Sequence, residues 1–215
     1  MILPNSHNKP IMATRTPLST IALAFDDLSQ SLECRAKEEG FRLDELCHAC
    51  SLVSVLFNSL GLAFRFAEME YVAKVGNLAE ASRRFGTIEN ILDVDVANGT
   101  VKKQRSHSRD LRRVRQGLDL IRALFEEFLS SKDYSLRNAA STAYAQVCAP
   151  YHTWAVRTAV SAGMHTLPTR EQLLQKLNET DHSAKNKMKR YIRASGQVID
   201  YIDKLYISRK ISLDW

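Results

Sequence analysis

Apolar residues recur every three or four positions along most of the chain, the spacing that one face of an α-helix requires. The first run begins at Pro17, a residue suited to the first turn of a helix. Its apolar positions are Leu18, Ile21, Phe25, Leu28 and Leu32. The alternation of apolar and polar residues that marks a half-buried strand does not occur in the sequence. The pattern therefore predicts an all-α fold.

Turn and capping signals divide the rest of the chain into further helices. The predicted segments are 43–70, 78–96, 108–130, 136–162, a short helix opened by the capping box Thr169-Arg170-Glu171-Gln172, and 183–205. Gly76-Asn77 predicts a break between the first two segments, and Asn98-Gly99 predicts the end of the second. Pro150 predicts a kink or break in 136–162, because proline lacks a backbone donor and clashes with the preceding turn.

The segment SHSRDLRRVRQGLDLIRALFEEF, residues 106–128, has apolar residues on two opposite helix faces. At about 100° per residue, one face contains Leu111, Val114, Leu118, Ile121, Phe125 and Phe128. The other, called here the second face, contains Arg109, Arg113, Gly117, Leu120 and Leu124. A solvated face would stay polar along its length. This helix is therefore predicted to be buried on both sides, with two arginines at its start.

Two arginines one helical turn apart can direct fork-shaped donors at a single phosphate. Gly117 would let a bulky group approach the helix backbone. The second face thus fits an amphiphile with an anionic head and an apolar tail. The alternative is that this face packs on another helix while the two arginines extend to solvent.

Composition adds a strong local charge to this picture. The chain of 215 residues is 45% hydrophobic, enough for one domain core, and its net charge is +6. Residues 101–122 contain eight Lys or Arg against two Asp, a local net charge of +6. A positive field this local indicates an anionic partner, such as a phosphate, a nucleic acid or an acidic membrane surface.

The sequence also indicates in which compartment of the cell the protein is located. Apolar runs never reach the roughly 18 residues of a membrane span, and the first residues lack the pattern of a secretory signal. We therefore expect a soluble cytoplasmic protein with a disordered arm over residues 1–16 and one domain over residues 17–215. The four cysteines, Cys34, Cys47, Cys50 and Cys148, are expected to be buried reduced thiols. Cys47-His48-Ala49-Cys50 resembles a metal half-site but has no second ligand pair.

Four stretches together resemble the glycolipid transfer protein family. They are FAEMEYVAKVGNL (66–78), SHSRDLRRVRQGLDLIRALFE (106–126), YAQVCAPYHTWAVRTAV (144–160) and LPTREQLL (167–174). They are most similar to the plant, ceramide-1-phosphate-binding branch of the accelerated-cell-death type, which is associated with programmed cell death. The resemblance covers residues 17–215. It implies a two-layer, all-helical sandwich of about eight helices that encloses the lipid chains between its layers.

The resemblance also implies a set of lipid-binding residues. The family's carboxylate and lysine correspond to Glu70 and Lys74, its arginine pair to Arg109 and Arg113, and its histidine to His152 in APYHTW. Members that bind neutral sugar heads have a tryptophan at the position of Arg113, where a cation suits a phosphate instead. Relatives have Asp at the position of Glu70. Glu adds a methylene, which a packed site detects.

These implications favour a non-enzymatic carrier or sensor of phosphorylated sphingolipids that contacts membrane surfaces transiently and needs no cofactor. The alternative is a helical interaction protein with weakened lipid transfer, for which Glu70 is the warning sign. A nucleic-acid binder fits poorly, because exposed aromatic residues are not interleaved with the cations. Arg112 and Arg115 are expected in solvent or near the membrane. Tyr151, Trp154 and Trp215 are open to two interpretations, interfacial anchors or core residues.

Overall fold

The computed structural model describes residues 15–34, 39–61, 64–130 and 135–215. These residues form nine α-helices and two short 3-10 helices. The α-helices are α1 (Pro17–Cys34), α2 (Leu43–Ser59), α3 (Arg65–Phe85), α4 (Ile88–Ala97), α5 (His107–Ser130), α6 (Leu136–Val147), α7 (Trp154–Gly163), α8 (Arg170–Lys176) and α9 (Asp181–Ser208). Across the described residues there is an isolated backbone bridge between Arg42 and Thr87 but no strand, which confirms the predicted all-α fold.

The long helices form two layers around one apolar core. Helix α1 packs on α9, and α2 packs on α3. Helix α5 contacts α3 on one side and α9 on the other, so that both of its faces are covered. Two buried tyrosines mark these contacts: the Tyr71 hydroxyl donates to the Cys50 carbonyl at 3.0 Å, and the Tyr191 hydroxyl donates to the Leu118 carbonyl at 3.2 Å. The burial of α5 on two sides is thereby confirmed.

The predicted boundaries of the second and third helices were wrong. The predicted helix over 43–70 is interrupted, because α2 ends at Ser59, Gly61 has a φ of 90°, and α3 begins at Arg65. The predicted break at Gly76-Asn77 does not occur, because α3 continues to Phe85. A helical glycine costs about 1 kcal/mol relative to alanine, and burial of the opposite side of α3 outweighs that cost.

Pro150 interrupts its segment as predicted. Helix α6 ends at Val147, a 3-10 turn covers Ala149–Tyr151, and α7 begins at Trp154. His152 lies between them in extended conformation (φ −105°, ψ 144°). The Thr153 side chain then caps α7 by accepting from the Val156 backbone N–H. The interruption therefore places His152 in a short connection rather than on a helix.

The capping box at Thr169 is confirmed at the start of α8, and a second one at Thr180 begins α9. Most of the arm predicted over residues 1–16 lies outside the described residues. Thr16 itself contacts the fold: its hydroxyl donates to Glu179 and accepts from Lys187 Nζ at 3.1 Å. In the described part of the chain, every helix is too short or too polar to cross a bilayer.

Three of the four cysteines are buried, as predicted. Burial raises the pKa of the Cys47 and Cys148 thiols to about 12, and that of Cys50 further still. Cys34 is an exception, because it is exposed at the end of α1. The buried thiols therefore stay protonated and pack as small apolar side chains.

Candidate functional site

Helix α3 contributes an acidic and a basic side chain one turn apart. Glu70 Oε1 lies 3.5 Å from Lys74 Nζ, and the Glu70 side chain is 70% exposed. Lys74 is mostly buried, and its Nζ also lies 3.3 Å from Asp110 Oδ1 of α5. The ammonium group is therefore held between a carboxylate at the surface and one beneath it.

Asp110 is the buried partner that sequence reasoning missed. It is 1% exposed, and its Oδ2 accepts a hydrogen bond from Asn77 Nδ2 of α3 at 2.8 Å. A carboxylate in the first turn of a helix normally complements the helix dipole at the surface. Here it also joins α5 to α3 and orients Lys74. Only the crossing of the two helices could reveal this role.

Arg109 and Arg113 begin the second face of α5, as predicted. Arg109 Nη1 donates to the Lys102 carbonyl at 2.8 Å, and Arg113 Nη1 donates to Gln116 Oε1 at 2.9 Å. Burial lowers the pKa of Arg113, and the nearby charges of Arg109 and Arg112 lower it further. Glu70 acts in the opposite direction on the same guanidinium. The Arg113 cation is thus partly desolvated and flanked by like charges.

His152 reaches the same region from the connection between α6 and α7. Its Nδ1 lies 2.8 Å from the Tyr144 hydroxyl, whose pKa is raised by burial. A protonated Tyr144 donating to Nδ1 leaves the ring hydrogen on Nε2, which becomes a donor. Burial and the charge of Arg113 lower the pKa of His152, so the ring favours the neutral form. Sequence reasoning did not identify Tyr144 as its partner.

Arg113 is the residue that links the predicted site residues. Its guanidinium interacts electrostatically with Arg109 on its own helix, with Glu70 on α3 and with His152 beyond α6. Lys74 joins through Glu70 and Asp110. Three separate elements therefore bring Glu70, Lys74, Arg109, Arg113 and His152 to one region. Lys74, Arg109 and Arg113 supply three positive charges that can bind a phosphate. The neutral ring of His152 supplies an N–H donor that can bind a neighbouring carbonyl oxygen.

A bulky group does approach the helix at Gly117, as predicted, but it belongs to the protein and is not a ligand. A Cβ at this position would lie 2.6 Å from Tyr71 Cδ2, so the bulky group on the backbone is a side chain of α3. Beyond it, Leu120 and Leu124 are also buried. In this state the second face packs within the protein, and its apolar part forms core between α5 and its neighbours.

Arg112 and Arg115 were also predicted wrongly, because both lie away from solvent. Arg115 pairs with Asp203 and, through Nη1, with Asp119 Oδ2 at 2.6 Å. Arg112 is only 4% exposed and donates from Nη2 to the Leu213 carbonyl at 2.6 Å. The C-terminal residues fold back over α5, which the helical pattern of α5 could not predict.

The three aromatic residues left open by the sequence behave differently. Trp154, at the start of α7, is 79% exposed. Tyr151 is half-buried and donates to the Leu213 carbonyl at 3.3 Å, and Trp215 packs edge-on against Tyr206. Trp154 is therefore available to an interface, whereas Tyr151 and Trp215 pack within the protein.

The chain is similar to known proteins over most of its length. A family model described as glycolipid transfer protein matches residues 41–179. The chain is 63% identical to the ACD11 homolog protein of Arabidopsis thaliana, over 93% of this chain and 89% of that protein. It is 44% identical to accelerated cell death 11 of the same plant, over 93% of this chain and 96% of that protein.

The fold is similar to a crystal structure of an Arabidopsis ACD11 mutant complexed with ceramide-1-phosphate. The TM-score is 0.88 at 42% identity, covering 94% of this chain and all (100%) of the other. Both the sequence and the arrangement of helices match over nearly the whole length. The chain belongs to the glycolipid transfer protein family.

Proposed function

We propose that this protein carries or senses ceramide-1-phosphate-like sphingolipids and moves them between membranes without catalysing a reaction. The observation that carries the proposal is the environment of Arg113, a half-buried cation. Arg109 places a second positive charge near it, and Glu70, which pairs with Lys74, acts on it from α3. A desolvated cation with like charges around it is stabilised by a bound anion. The ceramide-1-phosphate complex of the ACD11 relative supports the same ligand class.

In this proposal Lys74, Arg109 and Arg113 bind the phosphate. Charge-assisted hydrogen bonds from these groups are shorter and stronger than neutral ones. A tryptophan at position 113 would offer a stacking surface for a sugar, whereas the guanidinium offers charge and donors. The head group is therefore a phosphate rather than a neutral sugar.

His152 and Glu70 bind the ceramide amide. With Nδ1 facing the Tyr144 hydroxyl, His152 Nε2 donates to the amide carbonyl. Glu70 accepts from the amide N–H and the neighbouring hydroxyl. Its carboxylate is exposed and pairs with Lys74 at 3.5 Å, a weak surface contact, so it is available to a ligand at small structural cost.

The lipid chains are held between the helix layers. Exposing a hydrocarbon chain to water costs about 0.8 kcal/mol per methylene, which makes unassisted transfer slow. The buried apolar residues at the far end of the second face, Leu120 and Leu124, continue from the cations into the core. Taking up chains requires the layers to separate where these residues now pack.

Transient membrane contact completes the proposal. Basic residues near an anionic bilayer contribute about 1 kcal/mol each, and exposed tryptophan side chains favour the interfacial region. The basic segment 101–122 and the 79% exposed Trp154 supply both features. The protein is then cytoplasmic and peripheral to membranes, with a role in plant cell death that parallels its accelerated-cell-death relatives.

A second function is favoured by one observation. Glu70 is 70% exposed and pairs with Lys74, an ordinary pairing of residues one helical turn apart. If Glu70 fits the amide poorly, the fold serves as a helical interaction or regulatory protein with weakened lipid transfer. Native mass spectrometry of the purified protein separates the two functions, because a carrier takes up sphingolipid and an interaction protein does not.

The decisive experiment compares Arg113→Gln with Arg83→Gln in transfer of ceramide-1-phosphate between vesicles. Both variants lose one positive charge, but Arg83 is an exposed residue of α3 away from the site. We expect Arg113→Gln to lose tenfold or more, since a charged hydrogen bond contributes about 1.5–3 kcal/mol. Equal transfer by both folded variants, checked by thermal melts, would contradict the phosphate role.

A further inference from the structure

Arg112 is a buried cation that the lipid site does not use. Its side chain is not part of the second face of α5, and it is 4% exposed. Nη2 donates to the Leu213 carbonyl, and the guanidinium carbon lies 5.6 Å from the centre of the Tyr151 ring. Within the described residues, Nε and Nη1 have no hydrogen-bond partner. Two buried donors therefore lack acceptors, which is uncommon in folded proteins.

The charge of Arg112 is also uncompensated. Asp119, which borders a cavity next to Arg112, and Asp203 are both bound by Arg115. Arg122 takes the second oxygen of Asp119, with Nη2 to Oδ1 at 2.7 Å. None of the carboxylates in the described ranges forms an ion pair with Arg112. A buried charge without a counterion costs several kcal/mol.

A polar cavity of about 260 Å³ lies next to this guanidinium. Its wall includes Arg112, Arg115, Gln116, Asp119 and Tyr151, with Leu213 of the C-terminal segment. A water molecule occupies about 30 Å³ in the liquid, so the cavity can hold an anion together with water. Gln146 also lines the cavity and is exposed, which gives the cavity a route to solvent.

We propose that this cavity is a binding site for a small free oxyanion of the phosphate class. Water could satisfy the unpaired donors of Arg112, but it could not neutralise the buried charge, whereas an oxyanion does both. The site is separate from the proposed lipid site, although Gln116 borders the cavity and accepts from Arg113. The proposal does not depend on lipid binding.

The test follows the Arg112 Nε–H signal by NMR while inorganic phosphate is added, with sodium chloride at matched ionic strength as the reference. Through-bond assignment identifies this signal in the wild-type protein, so no disruptive variant is required. Arg109→Gln serves as the matched variant, because it removes a proposed phosphate ligand of the lipid site, and Arg109 donates to the Lys102 carbonyl rather than to a residue of the cavity wall. We expect a saturable shift that phosphate causes, that chloride does not, and that Arg109→Gln retains.

Two results would overturn the proposal. An Arg112 signal insensitive to phosphate would show that water alone occupies the cavity. A shift that disappears in Arg109→Gln would show that phosphate binds at the lipid site and acts on Arg112 only through its field. A crystal soaked in selenate provides an independent measurement, in which an anomalous peak at Arg112 supports the site and ordered water at Nε and Nη1 contradicts it.

Discussion

His152 illustrates how one residue combines burial, charge and tautomer. Burial is the larger cause of its lowered pKa, and Arg113 is the smaller one. The neutral ring is therefore the form that the fold stabilises. The associated stability is present above the unfolded pKa of about 6.5 and is lost as the pH falls through the lower folded value.

We expect an NMR titration of His152 to give a pKa below about 6.5 in the wild-type protein. Arg113→Gln should raise that pKa only part of the way, because burial remains after the charge is removed. Arg83→Gln, which changes the net charge equally, should leave it unchanged. A wild-type pKa at the ordinary value would mean that the ring is solvated, and a pKa above it would mean that the ring faces a carboxylate.

Glu70→Asp tests the departure of this chain from its relatives. If the site is adapted to the longer side chain, Asp loses a charged hydrogen bond worth about 1.5–3 kcal/mol, and affinity falls at least tenfold. We expect this outcome, because Lys74, Arg109, Arg113 and His152 are all present around Glu70. Titration with fluorescent ceramide-1-phosphate at matched salt measures it.

Tighter binding by Glu70→Asp would reverse the interpretation. It would indicate that Glu70 weakens an otherwise complete site, and it would favour the interaction-protein alternative. A variant that binds as tightly as the wild type would show that the carboxylate does not contact the lipid.

At the scale of elements, the close contact between α3 and α5 depends on the absence of a side chain at Gly117. The Tyr71 ring occupies the space where a Cβ of Gly117 would lie, 2.6 Å from Cδ2. The same ring lies 5.2 Å from that of Phe57, and its hydroxyl binds the Cys50 carbonyl. Tyr71 is thus fixed by α2 on one side and by α5 on the other.

Gly117→Ala should therefore destabilise the protein by about 1–3 kcal/mol, the usual cost of overpacking a core. Gly76→Ala is the matched control, because this position in α3 has nothing within 4 Å of an added methyl group, and the change should stabilise by about 0.4–1 kcal/mol. Urea denaturation of both variants measures the difference. Equal stabilities would show that Tyr71 moves away at little cost.

At the scale of the whole molecule, the net positive charge is concentrated in one segment, on which the proposed membrane contact rests. Segment 101–122 contributes as much net charge, +6, as the entire chain. Several of its cations are internally paired or buried, as Arg115 and Arg112 show, so only part of this charge lies at the surface. The exposed members include Lys102, Lys103 and Arg105.

Binding to anionic vesicles should weaken as salt is raised, because the screening length falls from about 10 Å at 0.1 M to about 3 Å at 1 M. Binding to neutral vesicles should change little over the same range. Co-sedimentation of the protein with both kinds of vesicle measures the contrast. Salt-insensitive binding to anionic vesicles would assign membrane contact to apolar residues such as Trp154 alone.

The helical periodicity was enough to predict the all-α fold, the burial of α5 on both faces and the interruption at Pro150. These features are local, since they follow from side-chain spacing and backbone chemistry. The helical pattern already singled out Arg109 and Arg113, whereas Glu70, Lys74 and His152 came from the family resemblance, and the structure brings all five to one region. Their roles toward a lipid stay a prediction.

Tertiary structure decided what each of these residues touches. The sequence predicted a break at Gly76, but helix α3 continues through this residue. It also suggested a ligand contact at Gly117, where the structure places the side chain of Tyr71. Three further contacts join positions that are separated in the chain. They are Asp110 with Lys74, Tyr144 with His152, and Leu213 with Arg112. Periodicity specifies which face of a helix is buried, but only the crossing of helices fixes its neighbours.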